Sequence, residues 1–176
     1  FCGYVLAKAG FRPILLERGK CVEERSRDVE AFWKTGHLNT ESNVQFGEGG
    51  AGTFSDGKLN TSVKDPSGRN RLVLETFVRF GADPSILYDN KPHIGTDVLS
   101  EVIVNMREFL VDKGATFVFD TCVNNLDIVS QKLLSVYTDS DSNSNSEIKT
   151  DVCVLALGHS ARDTFDMLYN KGFDME

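Results

Sequence analysis

The stretch GYVLAKAGFRPILLERG, residues 3 to 19, limits the fold more than any other part of the chain. Val5, Leu6 and Ala9 fall on one helical face, and Gly10 follows, a residue type that ends helices in the left-handed conformation. Pro13 then precedes Ile14, Leu15 and Leu16, a continuous apolar run of the kind found in parallel strands covered on both faces. Helix, turn, buried strand and acid, in that order, form the second half of a βαβ unit, so an α/β fold with a parallel sheet is expected. Glu17 closes the strand. A carboxylate at such a strand end offers paired acceptors to the ribose hydroxyls of an adenine dinucleotide; the competing reading is a surface acid.

Further along, the periodicity predicts helices over residues 21 to 33, 68 to 81, 96 to 113 and 159 to 172. In the third of these Val98, Leu99, Val102, Ile103, Met106, Phe109 and Leu110 recur at helical intervals. Thr96 or Asp97 is a candidate cap for its start and Gly114 for its end. Within the second, Leu72, Leu74, Phe77, Val78 and Phe80 are expected on one broad side. ATFVF, TCVNNLDIVS and KLLSVYT read as successive strands, the last two as a hairpin or meander. Residues 139 to 147, DSDSNSNSE, read as a solvated connection, and the apolar run DVCVLAL as another buried strand. Ser160 and Asp163 match a capping box for the last helix. Residues 61 to 114 read as a helical insert and 115 to 150 as a β meander, within one domain covering residues 1 to 176.

The segment FGEGGAGTFSDGKL, residues 46 to 59, has five glycines in fourteen positions. Ordering so much bare backbone is costly, which points to tight turning or close approach to a phosphate or a flat ring, with a mobile loop as the bland alternative. Gly47 and Gly52 are spaced as in a P-loop, but Thr53 stands where that loop needs lysine. The sequence VLALGHSARD puts Ala156, Leu157 and Gly158 at the carboxyl edge of the presumed strand, where a dinucleotide could pass close to backbone. No G-x-G-x-x-G turn precedes the first helix, and the chain opens on Phe1, so the polypeptide is expected to be truncated at both ends.

Other features exclude more than they assign. The net charge of −7 argues against binding nucleic acid, and no apolar stretch approaches the length of a membrane span. Cys2, Cys21, Cys122 and Cys153 show no C-x-x-C spacing, which excludes a zinc knuckle or dithiol pair and suits a cytoplasmic setting. Cys122 and Cys153 read as small core residues. Asp139, Asp141 and Asn143 imitate a calcium loop, but Ser144 and Thr150 occupy its glycine and glutamate positions, so no metal is expected. His93 and His159, beside glycine-containing segments, are candidate donors to a flavin or substrate, whereas His37 reads as ordinary loop polarity.

Set together, GYVLAKAGFRPILLERG, RSRDVEAFW, FGEGGAGTFSDGKLNT, KPHIGTDVL and VLALGHSARDTFDML resemble FAD-dependent dehydrogenases with a Rossmann-type FAD/NAD(P)-binding domain. The resemblance implies a parallel sheet with helices and a small antiparallel β layer. It implies FAD with its ribose on Glu17 and its adenine near the backbone of Val123. Gly47, Gly49, Gly50, Gly52 and Thr53 would line pyrophosphate and flavin; Ala156, Leu157 and Gly158 would close the far side; Arg18 and Arg27 would neutralise phosphate. The activity implied is hydride transfer through flavin N5 to or from a small-molecule substrate, with NAD(P)H as a candidate donor. Such proteins normally begin with a strand and glycine turn absent here, so this polypeptide alone is expected to hold FAD poorly. A flavin- or nucleotide-binding module without catalysis and an NAD-only Rossmann dehydrogenase are the alternatives.

Overall fold

The apolar periodicities resolve into five helices and five strands in a computed structural model that describes residues 1–59, 64–140 and 143–175. The first helix, α1 (Cys2–Lys8), ends before Gly10, whose φ of 90° lets the chain reverse into β1 (Ile14–Leu16). Helix α2 is Val22–Thr35, α3 Arg69–Arg79 and α4 Thr96–Asp112. Strand β2 (Thr116–Val118) returns parallel to β1, with Ile14 opposite Thr116 and Leu16 opposite Val118. Strands β3 (Thr121–Val129), β4 (Lys132–Ser140) and β5 (Asn143–Lys149) form an antiparallel meander, and α5 (Arg162–Asn170) packs on it.

Two cores follow from these elements. The larger joins α1, α3, α4 and the parallel pair through Tyr4, Phe80, Val102, Leu110 and their neighbours. Tyr4, Phe80 and Phe109 pack mutually, with ring centroids 5.4 to 5.8 Å apart and tilted or edge-on geometry, as ring quadrupoles favour. The stretch read as a helical insert therefore shares this core. All seven periodic residues of α4 face it or pack against it. The smaller core buries Leu126, Val136 and Leu168 between meander and α5, with Leu16 and Leu157 against it.

Several expectations are corrected. Residues 152 to 157 form no strand: they have no ladder partner among the described residues, and Val152 is 70% and Val154 61% exposed. An apolar run becomes a strand only beside a ladder partner, and none of the described residues offers one. Cys153 accordingly lies exposed rather than in a core. Conversely, most of the polar stretch expected as a connection is β5, the outer strand of the meander, whose sequence shows no apolar alternation. In the calcium-like pattern, Asp139 and Asn143 belong to β4 and β5, while Asp141 lies outside the described residues, as do Asn60 and Thr61 of the glycine-rich motif. Leu72 and Trp33 are exposed, because α3 and α2 each bury only a narrow stripe. Neither Thr96, Asp97 nor Ser160 caps a helix; Ser160 donates instead to Gln45 Oε1 at 2.8 Å. No helix among the described residues is long and apolar enough to cross a membrane.

Candidate functional site

At the end of β1 the chain turns through Glu17 and Gly19 onto the glycine-rich segment. One carboxylate oxygen of Glu17, Oε1, accepts from the N–H groups of Gly19 and Gly47, each at 2.9 Å. A Cβ on Gly19 would lie 2.7 Å from the Gly47 backbone, so the two main chains touch. The structure thus brings the strand-end acid and the start of the glycine-rich segment into one place. Glu17 Oε2 has no partner among the described residues.

The glycines divide by what surrounds them. A side chain at Gly47 would run into Arg25, and one at Gly49 into Thr53 Oγ1 and Ile103; these two are bare because the protein fills the space itself. Gly50, Gly52 and Gly158 face open space, with no heavy atom within 4 Å of an added Cβ. In the same loop the N–H groups of Gly49, Ala51 and Gly52 find no acceptor among the described residues. Thr53 is wholly buried and its hydroxyl has no partner among those residues.

The residue that organises this loop is Arg25, which the sequence reading passed over in favour of Arg27. Arg25 is 0% exposed. Its Nε donates to the Asn43 carbonyl at 2.8 Å and its Nη1 to those of Gly47, Glu48 and Gly50 at 3.2, 2.6 and 2.9 Å, while the guanidinium lies over the Phe54 ring. Burial lowers its pKa to about 10, opposed by the charges of Glu17 and Glu48, so it remains a cation at neutral pH. Nη2 has no partner among the described residues. A signal was present: Val22, Arg25 and Val29 share the single buried stripe of α2. Arg27 is exposed on the other side of that helix.

Glu48 adds a second tie. Its Oε2 accepts from the Val22 N–H at 2.9 Å, at the otherwise uncapped start of α2, and from Arg107 Nη1 at 2.7 Å. Burial nevertheless pushes its carboxyl pKa up, because desolvation outweighs those partners.

Arg18 lies across from the loop and is committed to acids. It donates to both oxygens of Asp163, its Nε is 3.0 Å from Glu41 Oε2, and its Nη2 donates to Cys122 Sγ at 2.9 Å. The Asp163 contact, foremost, raises the Arg18 pKa. These groups line a cavity of ≈ 430 Å³ that also takes in Val123 and Met167. Four acids, Glu41, Asp120, Asp139 and Asp163, face that cavity against the single cation of Arg18. Such a balance suits a neutral, donor-bearing group such as a nucleobase and disfavours a phosphate. Val123 sits where the β3–β4 register breaks, between Val123 and Asn125, a break that interrupts the ladder beside the cavity.

The remaining candidates lie apart from Glu17 or at its margin. Leu157 packs in the same small core as Leu16 and Val123, while Ala156 and Gly158 are exposed beside it. His37, His93 and His159 are exposed. His93 neighbours Lys58 in a short antiparallel bridge, with Ile94 N–H donating to Gly57 O at 2.9 Å, so the SDGKL tail is tied to KPHIG. The four cysteines are free, and no cluster of metal-ligating residues occurs among the described residues.

The crystal structure of THI4 from Thermovibrio ammonificans matches 98% of this chain and 58% of its own with a TM-score of 0.54, at 16% sequence identity. The likeness is one of fold. It shows that the chain shares the mixed α/β, Rossmann-like architecture of that structure. An uncharacterized protein of Clostridium beijerinckii is 43% identical over all 176 residues, and the chain spans about a third (32%) of its length. No family profile matches.

Proposed function

We propose that this chain is part of the FAD-binding portion of a flavin-dependent oxidoreductase. One observation carries the reading: the Glu17 carboxylate is hydrogen-bonded to Gly47 N–H, so the strand-end acid and the glycine-rich loop share one place. The parts fit a dinucleotide of unlike pieces. Glu17 Oε2 is an acceptor for a ribose hydroxyl. The unpaired N–H groups of Gly49, Ala51 and Gly52, with the open space beside Gly50 and Gly52, suit the pyrophosphate, and the acidic cavity at Val123 the adenine. Thr53 and Gly158 border the remaining course. Arg18, neutralised by Asp163 and Glu41, is left with orienting those acids rather than pairing with phosphate, and the exposed Arg27 is free to reach an anion only at the rim.

Bound FAD supplies hydride exchange, with NAD(P)H as the proposed donor and a small molecule as substrate. The protein's own contribution is to hold the ribose and present unpaired N–H groups to negative charge. No side chain of the chain is assigned as acid or base. Because the chain spans a third of its relative, the activity is proposed for the whole protein.

The test is to purify the full-length protein, measure retained flavin by absorbance, and repeat with Gly52→Ala. A methyl group at position 52 meets nothing in the protein itself. Stability is therefore expected to change by less than about 0.5 kcal/mol while FAD affinity falls. Retention of NADH with no flavin, or unchanged FAD affinity in the variant, overturns the reading.

A further inference from the structure

We propose that Arg25 is a positioning residue for Glu17, acting through Gly47, and that it sets how strongly the site prefers a ribose carrying both of its hydroxyls. The proposal rests on reading Glu17 as the ribose acceptor. Residue 47 is held at both ends: its carbonyl accepts from Arg25 at 3.2 Å and its N–H donates to Glu17 Oε1 at 2.9 Å. The guanidinium also fixes the next carbonyl, of Glu48, and that of Gly50, so residues 47 to 50 hang on one buried cation. With Oε1 held by Gly19 and Gly47, Oε2 is the oxygen left for a ligand. Arg25 itself is wholly buried, behind the loop whose carbonyls it holds.

Lysine cannot replace it. Three of the four carbonyls are gathered by Nη1 and one by Nε, a planar fork that an ammonium lacks. The Phe54 ring beneath the guanidinium fixes the plane of that fork.

The experiment uses the full-length protein and two ligands, FAD and its analogue lacking the adenosine 2′-hydroxyl, with dissociation constants read by flavin fluorescence. Wild-type protein is expected to prefer FAD about tenfold, the worth of one hydrogen bond to a charged acceptor. In Arg25→Lys the preference is expected to shrink to about twofold, through a selective loss for FAD. A merely structural role would weaken both ligands alike. Wild-type protein that binds FAD and the analogue equally removes the Glu17 reading and the proposal with it. Preference retained in Arg25→Lys, or equal losses for both ligands, overturns the proposal alone. Should circular dichroism show that Arg25→Lys does not fold, Phe54→Leu takes its place, keeping the arginine but removing the ring. A selective loss for FAD there supports the proposal, and unchanged preference overturns it.

Discussion

Gly49 and Gly50 are neighbours with different reasons for being bare. Both have positive φ, 85° and 69°, but only at Gly49 is the space beside the backbone occupied, by Thr53 and Ile103. Gly50→Ala is expected to cost about 2 kcal/mol, because its ψ of −171° at positive φ lies in a region that essentially only glycine occupies. Gly49→Ala adds overpacking against a buried threonine and is expected to cost about 3 kcal/mol or more. Denaturant midpoints compared between the two variants check this; equal values would mean the loop yields freely at residue 49. Glu17 stood out in the sequence because its place after an apolar run is a position with chemical meaning. Arg25 did not, because a charged residue within a charged helix reads as solvated. Only its register with Val22 and Val29 tells otherwise. The glycines were legible as a group but not singly, since what each one faces is decided by residues far away in the chain.

At the scale of elements, α5 is joined to the end of β1 by the Arg18–Asp163 contact. That contact, first of all, holds the Asp163 pKa below its ordinary value. The sign follows: a carboxyl with a depressed folded-state pKa contributes its stability in full above the unfolded value of about 4 and loses it as pH falls further. Asp163 is more than half exposed, so the contribution is about 1 kcal/mol or less. Asp163→Asn is expected to be less stable than wild type at neutral pH and to converge with it in strong acid. Urea titrations across the acid range read that difference; a gap that persists in acid would show that the asparagine does damage by other means. The elements themselves were largely legible, because helix α4 buries the side its periodicity marks; β1, expected to be covered on both faces, leaves Ile14 52% exposed, having only β2 beside it among the described residues. The two misreadings have one origin. Strand identity depends on a partner, which periodicity does not report, so the apolar run at 152 to 157 was overread and the polar β5 missed.

For the molecule as a whole the net charge is −7, yet Val152, Cys153, Val154 and Leu155 stand exposed in succession. Contiguous exposed apolar segments seek partners. Residues 1 to 176 in isolation are expected to self-associate as concentration rises, and Val154→Lys to reduce this. Light scattering over a dilution series measures it, and identical association in the two proteins would move the sticky surface elsewhere. The overall class was readable from the order of helix, strand and acid, whereas the meeting of Glu17 with Gly47 across thirty positions was a matter of tertiary closure.

The parallel pairing of β1 with β2 has a consequence for biogenesis. Ile14 cannot find Thr116 until the ribosome has delivered it, along with the whole of α4. At roughly 10 residues per second β1 waits on the order of ten seconds for this partner. Chaperone demand should therefore peak during that interval and subside once translation has passed β2.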